Sequence, residues 1–362
     1  MIAQAPRFNR NSQKDFSKTL RSRVNSYFEE SKLKRTADWK IAPKAFVVFG
    51  MYFIPYLMFL IFPFPPIAFF LSWVLMGIGV AGIGLAIMHE ANHGSLSSKP
   101  WVNTLFGYSL NIIGGNSLSW RIQHNVLHHT FTNVRGLDED LEGGHIMRFT
   151  PKEPWKKHHR LQHLYSWGLY SLMTFSWVLL KDFKRLKNYN DRGLVEKQNT
   201  TYAKAFATIF LSKVVYISYM LLLPIYMGYS VGLVIAGFMT MHLIAGLMLA
   251  SIFQPAHVNE AHTFHTSDEA EINQNFESHQ LNTTSNFAPN NKLLTWYCGG
   301  LNYQIEHHIF PNVSHVHYPA ISKIVKETAA EFGLPYRSEG TFRDALKMHQ
   351  RTMKRLGTPE FV

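Results

Sequence analysis

Residues 45–93 read AFVVFGMYFIPYLMFLIFPFPPIAFFLSWVLMGIGVAGIGLAIMHEANH. No Asp, Glu, Lys or Arg occurs from Ala45 to Met88, and three prolines interrupt this run near its middle. The run is long enough for two helices across a hydrocarbon core of about 30 Å, at about 20 residues per crossing. We therefore predict membrane spans at 45–62 and 66–88, joined by a short turn and followed directly by the polar HEANH sequence.

A second run, from Ala205 to Ala256, has Lys213 as its only residue of these four types. It predicts spans at 208–228 and 231–253, and we expect Lys213 to reach the interface with its long side chain. Because each pair of spans returns the chain to one side, the N-terminal, middle and C-terminal segments share a face. The positive-inside rule assigns this basic face to the cytoplasm, which explains the net charge of +12. The basic charge therefore needs no nucleic acid as a partner.

Three histidine-rich boxes, HEANH, HNVLHH and QIEHH, lie near the ends of these runs. Neutral imidazole binds iron, zinc and copper about equally well. The boxes supply the candidate metal ligands His89, His93, His124, His128, His129, His307 and His308. With His257 in QPAH and Gln304 at the head of the third box, the set exceeds the four ligands of one tetrahedral zinc. Two metal ions are the simplest interpretation.

Helical spacing supports this interpretation. His89 and His93 are four residues apart, as are His124 and His128, so each pair leaves one helix face as neighbours. One such pair among nineteen histidines is commonly chance, whereas three boxes together indicate metal binding. A helix that presents adjacent rings can serve two metal ions.

The requirement for one shared site also restricts the topology. The uncharged stretches 101–120 and 164–180 have the composition of spans. If the first crossed the bilayer, His93 and His124 would lie on opposite faces; if the second crossed, the second and third boxes would be separated. We therefore place both stretches in the interface, in re-entrant hairpins with a turn at Gly114-Gly115, or in buried helices of a cap.

The N-terminal segment predicts an amphipathic helix, because apolar residues recur on one face. These residues are Phe16, Leu20, Val24, Tyr27 and Phe28. Such a helix either lies on the membrane surface or packs on the protein's own cap, and both alternatives stay open. Residues 1–44 lack the apolar core of a cleavable signal, so the first span is expected to remain as an anchor.

The three boxes, the AHV at 256–258 and the run CGGLNYQIEHHIFPNVSHVHYP at 298–319 resemble the membrane fatty acid desaturases. The resemblance runs from about Phe16 to the C-terminus. The glutamine opening the third box is similar to the front-end subgroup, which inserts a double bond between an existing one and the carboxyl end. In length and layout the chain resembles bacterial and cyanobacterial Δ6-type acyl-lipid, or linoleoyl-CoA desaturase-like, enzymes. It contains no HPGG haem motif, so we expect no fused cytochrome b5 domain.

The resemblance implies an all-α integral membrane protein with four transmembrane helices and a cytoplasmic helical cap. A single desaturase domain would occupy residues 1–362. Its predicted segments are a basic cytoplasmic N-terminus at 1–44, the first span pair at 45–88, the cap with boxes 1 and 2 at 89–204, the second span pair at 205–253, and the cap with box 3 at 254–362. The membrane is expected to be the bacterial inner membrane, with the active site on its cytoplasmic side.

The resemblance also implies a di-iron centre. The family's ligands fall on His89, His93, His124, His128, His129, His257, His307 and His308, and Gln304 stands where other subgroups have histidine. Gln304 would bind iron, hold a water or orient its neighbours. Two Fe²⁺ ions would use O2 and two external electrons to put a cis double bond into a long-chain, already unsaturated acyl chain carried on lipid or CoA. A separate ferredoxin or cytochrome b5 would donate the electrons.

Some polar residues are candidates to support the ligands. Ligating imidazoles commonly donate their second N–H to a carboxylate, so Glu90, Glu306, Asp138 and Asp140 are candidates, with solvated surface charge as the alternative for each. His242 lies within the fourth span, where we interpret it as a contact between helices.

Three other functions use similar residues. A di-iron hydroxylase of the same histidine-rich group would differ in its product. A membrane zinc hydrolase would bind about one zinc per chain and no iron. A metal transporter would place its ligands near the membrane midplane, whereas these boxes lie at or beyond the ends of the spans.

Overall fold

A computed structural model describes residues 5–361 of the chain. The predicted segments 1–44 and 254–362 therefore begin or end outside the described residues. The described chain is mainly helical, with six strands of two residues each. It forms two compact units, one of which contains most of the length of the predicted spans. The other unit comprises the described residues up to Ala37, Gln123–Ser166 and the described residues from Ser251 onward.

The helices are of three kinds. The α-helices are Lys14–Ser31, Ala42–Ile61, Pro66–Gly82, His89–Asn92, Pro100–Gly107, Ser109–Ile112, Ser117–Trp120, Gln162–Ser171, Met173–Ser176, Asp182–Asp191, Tyr202–Ile217, Leu223–Tyr226, Val231–His257, Phe276–Thr283, Lys292–Tyr297, Gln304–Ile309, Tyr318–Glu331 and Phe342–Leu356. The π-helices are Ile83–Met88, Arg121–His128, Trp177–Lys181 and Ser218–Leu222. The 3₁₀-helices are Asp38–Ile41, Glu139–Leu141, Lys157–Leu161, Glu196–Gln198 and His315–His317.

Four helical stretches of the described chain are long and apolar enough to cross a membrane. They are Asp38–Ile61, Pro66–Asn92, Tyr202–Tyr226 and Val231–His257. The four predicted spans are confirmed, although each observed stretch extends beyond its predicted limit by four to seven residues at one end. The extension is expected, because backbone hydrogen bonds continue a helix past the point where its side chains become polar. The four stretches are the number of helices that the two predicted span pairs require.

The spans pack closely in the span unit, which comprises Asp38–Ile122 and Trp167–Ala250. A Cβ atom added at Gly79 would lie 2.8 Å from the backbone nitrogen of Tyr52, and one added at Gly77 would lie 2.7 Å from the carbonyl oxygen of Met241. Glycine allows two helix backbones to approach this closely. In a membrane such close packing drives helix association, because the hydrophobic effect contributes little between helices surrounded by lipid.

Lys213 corrects one expectation. Its side chain is buried within the span unit and is not exposed to solvent, as a side chain that reaches the interface would be. The ammonium donates hydrogen bonds to Asp182 Oδ2 at 2.6 Å, the Gly114 carbonyl at 2.6 Å and the Trp177 carbonyl at 2.5 Å. A buried ammonium needs such partners because desolvation of an unpaired charge is expensive. Lys213 therefore ties the third span to two segments of its own unit.

The two stretches that resembled spans are broken, as their exclusion predicted. Residues 101–120 contain short helices separated by a turn at Gly114-Gly115, where Gly114 has a φ of 94° that favours glycine. Residues 164–180 fall across three helical pieces. Neither stretch is among the four candidate spans within the described residues.

The other unit, which we call the cap unit, contains the amphipathic helix Lys14–Ser31. Its apolar residues Phe16, Leu20, Val24 and Phe28 are buried in a cluster with residues of the helix Tyr318–Glu331. Burial within the protein is therefore the correct alternative for this face.

Three parallel strand pairs join distant parts of the cap unit. Arg7–Phe8 pairs with Glu271–Ile272, Val134–Arg135 pairs with His265–Thr266, and Asn286–Phe287 pairs with Ser338–Glu339. Each pair fixes a loop that flanks a histidine box or the N-terminal helix.

Candidate metal centre

The first box lies in the span unit at the end of the second span. A π-helix, Ile83–Met88, leads into the short α-helix that begins at His89. The rings of His89 and His93 have centroids 4.8 Å apart, and Trp120 presents an edge contact to each. Gly94 ends the helix with a φ of 75°, as glycine commonly does at a helix C-terminus. The helix therefore places both rings side by side, as their spacing predicted.

The second box lies on a π-helix, Arg121–His128, and not on the regular α-helix that its spacing suggested. The backbone N–H of His129 donates to the carbonyl of His124 at 2.9 Å, which is the i to i+5 bond of a π-turn. The rings of His124, His128 and His129 have centroids 4.7 to 5.7 Å apart. The wider turn thus gathers three imidazoles on one side of the helix.

The third box forms the buried helix Gln304–Ile309. Asn286 holds it in two ways: its Oδ1 accepts from the Ile305 backbone N–H at 2.9 Å, and its Nδ2 donates to Glu306 Oε2 at 2.7 Å. Tyr336 donates to Glu306 Oε1 at 3.0 Å. Burial raises the pKa of the Glu306 carboxyl to about 7 despite these hydrogen bonds. Glu306 therefore anchors the helix to its surroundings.

Within the cap unit, His128, His257 and His308 converge. Each offers one ring nitrogen, and the three nitrogens lie within 4.8 Å of one another. All three side chains are buried, and their ring centroids are 4.7 to 4.9 Å apart. The three imidazoles come from the second box, the end of the fourth span and the third box.

A second group in the cap unit shares one of these rings. His129, His307 and His308 also offer nitrogens within 4.8 Å of one another. The ring of His308 stacks on that of His129 at a centroid distance of 4.2 Å, and His307 lies 4.6 Å from His129. His308 therefore belongs to both groups, an arrangement suited to two neighbouring metal ions.

Two of the imidazole rings have a carboxylate next to Nδ1. Asp138 Oδ1 lies 2.9 Å from His128 Nδ1, and Asp140 Oδ2 lies 2.8 Å from His124 Nδ1. Asp138 is itself fixed, because its Oδ2 accepts from the Asn133 backbone N–H at 2.9 Å. Both aspartates therefore occupy the supporting positions that the sequence suggested, with Nε2 of each ring directed away from them.

The pKa values of these rings follow from burial and charge. Burial lowers the pKa of His308 well below its ordinary value, and the neighbouring imidazoles add to the effect. Burial also lowers the pKa of His124, although Asp140 acts in the opposite direction. Burial alone would lower the pKa of His128, but the charge and hydrogen bond of Asp138 outweigh it and raise the pKa. A neutral imidazole is the form that binds metal, and His308 and His124 are held in that form.

The donor set fits a metal ion. Within residues 5–361, the Nε2 atoms of His128 and His308 and both ring nitrogens of His257 are buried without a hydrogen-bond partner. Buried polar atoms are nearly always partnered, and leaving one unpaired costs about 1–3 kcal/mol. A metal ion bound by the three imidazoles would satisfy a nitrogen of each.

His257 is held through its backbone. Its carbonyl accepts from His262 Nδ1 at 2.8 Å and from Asn133 Nδ2 at 3.3 Å. His262 in turn bonds Ser285 Oγ through Nε2 at 2.7 Å, so both of its nitrogens are used. Burial lowers the pKa of His262 to about 4. His262 therefore supports the chain at His257 and has no nitrogen left for a metal.

Gln304 is fully buried at the start of the third box. Its amide oxygen and nitrogen have no hydrogen-bond partner among the described residues. Such an amide suits a metal ion or a bound water, and all three roles, namely binding iron, holding a water and orienting its neighbours, stay predictions.

Two contributors to the site carry no sequence signal of their own. Gln280 Oε1 lies 3.0 Å from His308 Nδ1, and Thr132 Oγ1 lies 3.2 Å from the same nitrogen. Gln280 is separated from the third box by more than twenty residues and belongs to no histidine motif. Only the tertiary fold brings it to His308.

The chain matches the family model described as fatty acid desaturase over residues 63–340. This region contains all three boxes, His257 and Gln304.

Curated relatives extend the match to nearly the whole chain. The chain is 34% identical to the sn-1 linoleoyl-lipid 6-desaturase of Arthrospira platensis, with 94% of the chain and 92% of that protein covered. It is 32% identical to the protein of the same name from Synechocystis sp., covering 94% and 95%. An acyl-lipid (8-3)-desaturase of Physcomitrium patens is 35% identical, covering 96% of the chain and 72% of that protein.

Proposed function

The chain belongs to the fatty acid desaturase family, and we propose that it inserts a cis double bond at the Δ6 position of an unsaturated acyl chain carried on a membrane lipid. The chain is a front-end fatty acid desaturase, an oxidoreductase. The names of two cyanobacterial relatives support the Δ6 position and the lipid carrier. The observation that carries the chemistry is the convergence of His128, His257 and His308, whose open nitrogens are buried in one place.

We propose that the histidines hold two iron ions. The proposed ligands are His89, His93, His124, His128, His129, His257, His307 and His308, with Gln304 as a ninth donor. When bound, the iron ions would supply oxidation by O2 with two external electrons and two protons, so that one hydrogen leaves each of two adjacent carbons and two waters form.

The substrate explains why the site needs a metal. An unactivated methylene group has no acidic proton and no leaving group, so acid–base and nucleophilic catalysis cannot remove its hydrogens. No pairing of a side-chain nucleophile with a base is required of the chain, and we propose no catalytic residue beyond the ligands.

The chain's own residues prepare the donor atoms. Asp138 accepts the Nδ1 hydrogen of His128, which fixes the ring and leaves Nε2 as the donor. Asp140 does the same for His124. Because these rings are buried, bulk water is kept from the donor nitrogens. Positioning matters, since a misplacement of about 1 Å can cost about 100-fold in rate.

We place the cap unit on the cytoplasmic side of a bacterial inner membrane, as part of one desaturase domain over residues 1–362. The segments outside the two apolar runs contain every Lys and Arg except Lys213, which supports the cytoplasmic side through the positive-inside rule. The same charge suits an acidic ferredoxin or a free cytochrome b5 as electron donor.

The experiment that tests this function is expression in a host without Δ6 desaturation, fed linoleate or oleate. Mass spectrometry then locates every new double bond and its carrier lipid. The expected product is a Δ6 double bond in lipid-bound linoleate, absent from a strain that carries His308→Ala. A hydroxylated product would contradict the desaturase assignment, and a double bond elsewhere would contradict the Δ6 assignment.

A further inference from the structure

We propose that Gln280 is a positioning residue that sets the tautomer and orientation of His308. The inference rests on the proposed function, in which His308 binds metal. His308 is the ring common to both histidine groups of the cap unit, so its orientation affects both.

The Gln280 side chain is fully buried and makes three hydrogen bonds. Its Nε2 donates to the carbonyl of His129 at 3.0 Å. Its Oε1 lies 3.0 Å from Thr132 Oγ1 and 3.0 Å from His308 Nδ1. One amide therefore contacts the backbone of the second box and a ring of the third.

The direction of this amide is fixed by chemistry. The carbonyl oxygen of His129 only accepts hydrogen bonds, so it must face the NH₂ group of Gln280. The amide oxygen of Gln280 then faces His308. A reversed amide would bring two oxygens together and leave the NH₂ group at the ring, which would lose the bond to His129.

The fixed amide dictates the state of His308. An amide oxygen carries no hydrogen, so a hydrogen bond with His308 Nδ1 requires the hydrogen on that nitrogen. Nε2 then keeps its lone pair, and Nε2 is the atom without a hydrogen-bond partner within the described residues. Carboxylates do this for His128 and His124, whereas a neutral amide does it for His308. As a metal ligand, His308 Nε2 is therefore less basic than the Nε2 of a ring that is bonded to a carboxylate.

Gln280 also joins two boxes. The hydroxyl of Thr132 lies 3.0 Å from Gln280 Oε1 and 2.8 Å from the carbonyl of His128, so its one hydrogen serves two acceptors. The backbone carbonyl oxygen of Thr132 lies 2.9 Å from His279 Nε2. Losing the Gln280 amide therefore frees the His308 ring and loosens the end of the second box at the same time.

The chain offers a matched control in Gln162. This side chain is also fully buried in the cap unit and also makes three hydrogen bonds. Its Oε1 accepts from the Arg148 backbone N–H, and its Nε2 donates to the carbonyls of Arg148 and Met353. None of these partners is a proposed ligand. Gln162→Met thus removes as many buried hydrogen bonds as Gln280→Met, at a place unrelated to metal.

The test compares iron retention by the purified full chain. Wild type, Gln280→Met, Gln280→Glu, Gln162→Met and His308→Ala are loaded with Fe²⁺ and titrated with a chromogenic chelator. We expect Gln280→Met to lower iron affinity roughly 10–100-fold, the range for loss of a group that orients a ligand. Gln162→Met should retain iron as wild type does. Gln280→Glu should recover most of the affinity, because either protonation state offers an oxygen to His308 Nδ1.

Each result decides the question. If Gln280→Met retains iron as Gln162→Met does while His308→Ala loses it, the inference is wrong and the proposed ligand set stands. If His308→Ala retains iron as wild type does, the proposed ligand set is wrong. If Gln280→Met does not fold, Gln280→Asn replaces it, since its shorter side chain keeps the amide but withdraws it from His308. Wild-type affinity in Gln280→Asn would then overturn the inference.

Discussion

His242 in the span unit and the pair His128 and His308 in the cap unit are all buried, but their ring nitrogens differ in what they contact. In the span unit, both nitrogens of His242 are used: Nδ1 lies 3.0 Å from Thr174 Oγ1, and Nε2 lies 2.7 Å from the hydroxyl of Tyr216. In the cap unit, His128 and His308 use Nδ1 only, and Nε2 has no hydrogen-bond partner in the described part of the chain. Burial alone therefore does not separate a structural histidine from a metal ligand. A single unpartnered nitrogen does not do so either, because His279 Nδ1 also lacks a hydrogen-bond partner among the described residues. The nitrogens of His128, His257 and His308 are distinguished by lying within 4.8 Å of one another.

The largest expected effect comes from removing a proposed ligand whose ring nitrogen has no hydrogen-bond partner among the described residues. His128→Ala should abolish desaturation, with a loss of more than about 100-fold, and should reduce bound iron, because its effect must exceed that of a supporting residue. Product analysis and iron content per chain check this. His349→Asn is the control, since it removes another buried histidine but keeps a donor for the Val258 carbonyl. Wild-type activity in His128→Ala would contradict the assignment of His128 as a ligand.

The next effect concerns stability in the span unit. Lys213→Met leaves the buried Asp182 carboxylate without its ammonium partner, which is expected to cost about 3–5 kcal/mol. Thermal unfolding in detergent should show a much lower melting temperature. The double variant Lys213→Met with Asp182→Leu should recover much of the loss, because no unpaired charge remains. A double variant as unstable as the single one would show that the pair is not the cause.

A smaller effect is expected at the carboxylate behind His128. The two oxygens of Asp138 face His128 Nδ1 and the Asn133 backbone N–H. Asp138→Asn replaces one of these oxygens with an NH₂ group, which cannot accept, so one of the two hydrogen bonds is lost. Iron affinity should fall about 10–100-fold while the protein stays folded. Asp268→Asn removes an exposed carboxylate and should leave iron affinity unchanged. Equal iron retention in the two variants would show that Asp138 does not orient His128.

His242→Leu provides the direct contrast with His128→Ala. It leaves the hydroxyls of Tyr216 and Thr174 without their partner and should cost about 1–3 kcal/mol of stability. Iron content and activity per folded chain should match wild type. Loss of iron in His242→Leu would mean that partnered histidines also serve the metal centre.

The smallest effect is a change in acid sensitivity. Burial lowers the pKa of His349 to about 4 from an ordinary 6.5. Between these values the unfolded chain binds a proton that the folded chain does not, so stability falls as pH falls from about 6.5 to about 4. His349→Asn should therefore lose less melting temperature than wild type between about pH 7.5 and about pH 5. Equal losses would show that folding does not lower the pKa of His349.

The spans could be predicted from the sequence because charge-free runs and proline or glycine breaks report directly on the bilayer. Lys213 could not be assigned correctly, since its partners Asp182 and Gly114 come from distant segments. The hydrophobic pattern also does not separate a π-turn from an α-turn, so the π-helix of the second box was not predicted.

The candidate ligands could be identified because their motifs are local and resemble a known family. Their supports differ in this respect. Asp138 and Asp140 lie close to the second box in sequence and were predicted as candidates. Gln280 is an ordinary polar residue in a short helix, and its contact with His308 depends on how the cap unit folds. Sequence reasoning finds a supporting residue when it lies near its ligand and misses it when the fold alone brings the two together.

The metal content of the purified wild-type chain tests the central claim most directly. Elemental analysis of protein expressed with both iron and zinc available should find about two iron ions per chain, as two overlapping histidine groups predict. About one zinc per chain and no iron would contradict the account and indicate a hydrolytic site instead.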